Sequence, residues 1–192
     1  MAMPRLQSFP ERSVWTAADL EQLPDDGNRY EVLHGELLVT PQPTTVHQGV
    51  AVRVTVMLSN WCRARSGWSV RAPGAVSISE STWLEPDVVL YPVDEYARTP
   101  WRDMPAPALV IEVLSPSTRK RDRHRKRPAY LAHGVREVWI IDEDARTLER
   151  WTKASEFPET CRDSFVWMLD GREPGLEISW AELFGPPVSA KL

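Results

Sequence analysis

Glu112 sits inside "ALVIEVLSP", Ala108 to Pro116, the most apolar run in the chain. Side chains alternate along a strand, so a strand here places Glu112 on one face with Val110 and Leu114. An ionised carboxylate left unpaired in that company costs several kcal/mol. A metal ion, a cationic side chain or a water-filled cleft could each compensate it. A second acid, Asp87, follows Pro86 and directly precedes the apolar "VVLY". The segment between the two acids is long enough to bring their strands side by side. Two carboxylates on adjacent strands form a hard, oxygen-rich site suited to Mg²⁺ or Mn²⁺. Such an ion polarises a phosphoryl oxygen and lowers the pKa of a bound water. Each acid alone also has a plainer reading, Asp87 as part of a turn and Glu112 as the partner of an arginine.

A basic segment supplies the third component. Asp122, Lys126 and Tyr130 recur every four residues, one face of a helix. Lys126 on that face points back toward the carboxylates, where its charge orients water or stabilises a pentavalent phosphoryl transition state. Arg119, Lys120, Arg121 and Arg123 are candidate phosphate contacts. The competing reading of the arginines is a solvated basic surface. Pro128 lacks an N–H and suits a first helical turn, which predicts a helix starting near Arg125.

These residues need elements to position them. "WTAADLEQLP" predicts a short helix from Ala17 to Leu23, with Thr16 as N-cap and Asp19 three residues on. "RYEVLHGELLVTP" predicts a hairpin turning at His34-Gly35. From Thr45, the spacing of Val46, Val50, Val54, Met57, Leu58 and Trp61 predicts an amphipathic helix stopped by Gly67. "WSVRA", "AVSIS", "PDVVLYP" and "ALVIEVLSP" are strands, the last two joined by a Pro-rich surface loop. "REVWIID" and "TLERW" pair across "EDAR", "DSFVWML" follows, and "SWAELF" is a terminal helical turn. Interspersed strands and helices define an α/β or α+β class with a mixed sheet.

The composition is that of an ordinary globular chain: 192 residues, 42% hydrophobic and 26% charged. A net charge of −4 argues against binding nucleic acid by bulk charge, though a local basic patch remains compatible with it. Cys62 and Cys161 are in no metal-ligand spacing and are read as reduced thiols. No apolar run approaches membrane-spanning length, so the expected location is the cytoplasm, with no membrane partner. The nine Trp follow no period and are read as core or interface residues.

"PDVVLY", "LVIEVLSPSTRKRD", "KRPAYLAHGVREVWIID" and "RYEVLHGELLVTP" together resemble the Uma-two family, a restriction-endonuclease-like branch of the PD-(D/E)xK nuclease superfamily. The resemblance runs from about Thr16 to Trp151 and stays recognisable to the end of the chain. It implies a restriction-endonuclease-like core, a mixed β-sheet flanked by helices, in a single domain over residues 1–192. Within it, residues 14–41 form an N-terminal helix and hairpin, 44–151 the nuclease core and 152–192 the C-terminal strands and short helix. It assigns Asp87 and Glu112 to a Mg²⁺ or Mn²⁺ ion, with the Val113 carbonyl completing the set. The superfamily's usual lysine lies two residues after the glutamate, where this chain has Leu114, so the lysine role passes to Lys126. Glu31 in "YEVLHGE" and His47 in "TTVHQG" are possible additions to the same site. The activity implied is metal-dependent endonucleolytic hydrolysis of DNA, by a homodimer. Two other readings stay open: a nucleic-acid-binding or assembly module with the nuclease fold and little cleavage, and an enzyme acting on a smaller phosphate ester.

Overall fold

The structure, a computed structural model, describes residues 13–94, 98–171 and 175–185. Its elements in chain order begin with α1 (Ala17–Leu20), β1 (Arg29–Leu33), β2 (Glu36–Thr40), α2 (Thr45–Arg63), β3 (Ser69–Arg71), β4 (Val76–Ser79), β5 (Thr82–Leu84), β6 (Val88–Tyr91) and β7 (Leu109–Val113). A helical run follows: α3 (Arg119–Arg121), a π-helical turn (Asp122–Lys126) and α4 (Arg127–His133). The chain ends with β8 (Glu137–Asp142), β9 (Thr147–Thr152), β10 (Glu159–Cys161), β11 (Phe165–Trp167), β12 (Leu176–Ile178) and α5 (Trp180–Phe184).

The central sheet has six strands in the order β10-β9-β8-β7-β6-β3. Among the described residues, only β7 and β8 run parallel in it. A parallel pair needs a crossover, and the helical run from Arg119 to His133 provides it. The sheet is therefore mixed and flanked by helices. The strands are apolar on both faces because both are covered. Val88, Leu90, Ile111, Val113, Trp139 and Ile141 face α2, which presents Val50, Val54, Leu58 and Trp61. Val89, Tyr91, Val110, Leu114, Val138 and Ile140 face the other way, against Tyr130 of α4 and a second sheet. That second sheet has four strands ordered β2-β1-β5-β4 and contributes Leu33, Leu38, Val76 and Leu84. β11 and β12 form a separate two-stranded ribbon.

The hairpin turns where the sequence placed it, with positive φ at His34 (53°) and Gly35 (82°) as a tight turn requires. The "EDAR" hairpin forms too. All nine Trp are buried or half-buried. Several details differ from expectation. The first helix stops at Leu20 rather than Leu23, although Asp19 does accept from the Thr16 N–H at 2.9 Å. Val46 stands 60% exposed on α2, outside its buried stripe. β5 ("TWL") and β10 ("ETC") are strands that no periodicity announced. The basic helix begins at Arg119 rather than Arg125 and passes through Pro128. A proline ring clashes with the carbonyl four residues back, and the wide π-helical turn just before it relieves that clash. Among the described residues no helix is long and apolar enough to cross a membrane.

The loop before β4 crosses closely over the central sheet. A Cβ on Gly74 would lie 2.1 Å from Cγ2 of the fully buried Val89. Gly74→Ala is therefore expected to destabilise the protein by about 1–3 kcal/mol, the usual range for overpacking. In denaturant titrations Val89→Ala should recover part of that loss, whereas additive effects would deny the contact.

Candidate active site

The antiparallel register of β6 and β7 pairs Val88 with Ile111 and Val89 with Val110. One step further along the same ladder sets Asp87 opposite Glu112, with both side chains on the face of Val89 and Val110. From the facing sheet, β1 contributes Arg29 and Glu31, two residues apart and so on one side of their strand. The helical run contributes Asp122, Lys126 and Tyr130. From the opposite side, α2 brings His47 to the strand ends. Its first turn is capped by Thr44, whose Oγ1 accepts from the His47 N–H at 3.2 Å.

Lys126 is the hub. Its Nζ lies 2.7 Å from Glu31 Oε1, 3.1 Å from Glu112 Oε1 and 3.8 Å from Asp122 Oδ1. The Tyr130 hydroxyl donates to the same Glu112 oxygen at 2.7 Å. Of the three possible compensations for Glu112, the structure supplies a cationic side chain directly and a cleft beside it. Leu114, two residues after Glu112, is buried in the core. A cavity of about 200 Å³ opens onto Asp87, Glu112, Val113, Asp122 and Lys126.

Asp87 is held separately. Its Oδ1 accepts from Arg29 at 3.1 Å, and its Oδ2 accepts from the Val113 N–H at 2.8 Å. His47 Nε2 lies 3.3 Å from Asp87 Oδ2 and 2.8 Å from the Val113 carbonyl. Burial alone would raise the Asp87 pKa, but His47 and Arg29 outweigh it and hold the carboxyl below its usual range. Burial would lower the pKa of His47, and Asp87 reverses that, favouring the imidazolium. Burial would likewise discharge Lys126, but Glu112, Glu31 and Asp122 keep the ammonium charged. Glu112 moves the other way. Burial, reinforced by Asp122, Asp87 and Glu31 against the pull of Lys126, pushes its carboxyl up to about 8.

Among the described residues no three His, Cys, Asp or Glu side chains converge as a ready metal cage. The donor chemistry nevertheless fits a hard divalent cation. Glu31, Asp87, Glu112 and Asp122 are buried acids, and Lys126 and Arg29 are the full positive charges paired with them. Glu31 Oε2 and Asp122 Oδ1 have no hydrogen-bond partner. Mg²⁺ suits such a site because it keeps several waters and asks for few protein ligands.

The basic residues separate by partner. Arg119 is turned to Asp142 and Asp144, each at 3.1 Å. Arg123 is 2.8 Å from Glu149 and 3.4 Å from Asp142. Arg121 lines the cavity and donates to Thr40 Oγ1 at 2.5 Å, while Lys120 is exposed. Sequence reasoning missed Arg29 and gave no role to Asp122 or Tyr130. The alternation of Arg29 with Glu31 in "RYE", and the four-residue spacing to Lys126, were the available signals.

Residues 17–181 match the Uma2 family, described as "Putative restriction endonuclease". The chain belongs to this family. Among solved structures it is similar to a nuclease-like protein from Anabaena variabilis, titled "putative nuclease belonging to DUF820". The two are 20% identical with a TM-score of 0.74, over 88% of this chain and 97% of that one. At that identity the likeness shows a shared fold. No curated protein matches the chain.

A carboxyl with a folded pKa above its unfolded value keeps a proton that the unfolded chain has released. Its stabilising effect is thus full below about 4.5 and is lost as pH rises toward about 8. In metal-free buffer, the Glu112 proton should contribute a fall in stability across that window of up to about 1.4 kcal/mol per pH unit. Glu112→Gln should flatten the fall and keep or raise Tm at the upper end. A decline above 6.5 from His47, whose pKa is raised from that value, should remain. An unchanged slope, or a variant that unfolds, would assign Glu112 a purely structural role.

Proposed function

We propose that this member of the family is a metal-dependent endonuclease that hydrolyses phosphodiester bonds in DNA. The observation that carries the reading is Lys126, buried within 3.1 Å of both Glu31 and Glu112 in the lining of a cavity that Asp87 also lines. A fully buried ammonium ringed by carboxylates is a costly arrangement, and perturbed groups of this kind concentrate at functional sites.

In this reading Asp87, Glu112 and the Val113 carbonyl hold Mg²⁺ or Mn²⁺, which supplies an activated water and a Lewis acid when bound. Lys126 places its charge beside the reacting phosphate and stabilises the charge that builds there. Glu31 fixes the amine through its 2.7 Å contact. His47 fixes Asp87 and the Val113 carbonyl by contacting both. Arg121 and Lys120 are the phosphate contacts closest to hand. Arg119 and Arg123 join them by exchanging Asp142 and Glu149 for phosphate oxygens. The enzyme works in the cytoplasm as a homodimer, the commonest symmetric assembly and one suited to cutting two strands.

A second reading has its own observation. Asp87 already has Arg29, the Val113 N–H and His47 around its two oxygens, so the acids are satisfied by the protein itself. That favours a binding or assembly module with the nuclease fold and little cleavage.

Plasmid and single-stranded DNA incubated with Mg²⁺, Mn²⁺ or EDTA separate the two. Cleavage is expected with metal and not with EDTA. Glu112→Gln should abolish it by more than the roughly 10–100-fold that loss of an outer-shell partner costs a metal site, with Tm maintained. Binding without metal-dependent cleavage would establish the module instead. Light scattering at micromolar concentration should give twice the monomer mass, and a monomer would overturn the dimer.

A further inference from the structure

Beside the carboxylate cavity lies a second one of about 330 Å³, at the lower end of the roughly 300–1,000 Å³ of small-molecule sites. The two share Arg29, Pro41, Gln42, Pro43, His47 and Asp87 in their walls. A strand with its phosphate at Lys126 and Glu112 therefore has a neighbouring group at the second cavity. Its far wall is neutral, formed by Ala51, Val52, Thr55 and Val56 of α2 with Ala72 and Pro73. Val52 and Val56 stand one helical turn apart and are 58% and 53% exposed. The charged pair at its floor, Arg29 and Asp87, is engaged with itself at 3.1 Å. The remaining polar lining includes the exposed amides of Gln42 and Gln48, each offering donors and an acceptor. Gly27 makes room for one of them, since a Cβ there would lie 2.6 Å from Gln42 Nε2.

We infer that this cavity receives an unpaired nucleobase next to the phosphate bound at the carboxylates, so that the preferred substrate is single-stranded or locally unpaired. The inference rests on the nuclease reading and adds the form of its substrate. A base is flat and neutral, apolar on its faces and hydrogen-bonding along its edge. The valine and proline walls suit the faces and the two glutamines suit the edge. Charge supplies little of the affinity. The chain is acidic overall, Arg119 and Arg123 reach phosphate only by giving up Asp142 and Glu149, and Arg125 is tied to Glu36. Binding must draw on base burial, and a base stacked and paired in a duplex cannot enter the cavity.

The test is fluorescence anisotropy with the full chain in EDTA, where no strand is cut. The probes are a short single-stranded oligodeoxynucleotide, the same strand carrying abasic sites, and its duplex. The natural single strand should bind roughly tenfold or more tightly than either of the others, the scale of losing one base contact. The variant Gln48→Leu, at a residue that lines the second cavity and not the carboxylate cavity, should lose much of that advantage and leave the abasic affinity unchanged. Equal affinity for natural and abasic strands overturns the inference, as does equal weakening of both by the variant or no binding of any probe. Plasmid cleavage is read separately. Metal-dependent cutting without base discrimination sinks this inference alone, whereas base discrimination without cutting sinks the nuclease reading and leaves the base site standing.

Discussion

The fold is organised around one buried ammonium. Lys126 is almost fully buried, and so are Glu31, Glu112 and Asp122 around it. Taking any of these charges out of water alone would be prohibitive, so none of the three elements that carry them can pack without the others. β1 brings one acid from the small sheet, β7 brings another from the large sheet, and the crossover helix brings the lysine with the third. The interaction therefore specifies how two sheets and a helix meet. A hydrophobic core, being non-directional, does not specify that arrangement by itself.

Around this hub the arrangement is layered. Arg29 and His47 hold Asp87 from two sides, and the Asp87 carboxylate takes the N–H of Val113, next to Glu112, where the β6–β7 ladder ends. Glu31 in turn accepts the Glu85 N–H at 2.7 Å, which ties the segment just before Asp87 to β1. The acids are thus part of the hydrogen bonding that aligns the strands, and the chemistry and the architecture use the same atoms.

Much of this was legible in the sequence because it obeys short periods. A glutamate at a core position of an apolar run, and a lysine four residues from both an aspartate and a tyrosine, are visible without coordinates. The central strands and the long helix were readable for the same reason. The facing sheet was less so. β5 is three residues long, too short for a period to show, yet it sits next to β1 and completes the sheet that delivers Glu31. Arg29 opens the first hairpin strand with nothing local to mark a role, because its partner lies 58 residues away. Pro128 misled for a local reason. Proline rules are written for α-helical spacing, and the preceding turn is wider than that.

The chain order of the buried charges also has a consequence in time. Glu31 and Asp87 belong to the first half of the chain and Glu112 and Lys126 to the second. On a polypeptide emerging from its N-terminus, Arg29 and His47 are already present to pair with Asp87, but Glu31 stays hydrated until the lysine arrives, because its cationic partner is Lys126. The small sheet cannot close over the large one until that moment. Synthesis must pass residue 126 before the acids come together, so a truncated chain has no assembled site. The lysine works as the last key turned in the lock.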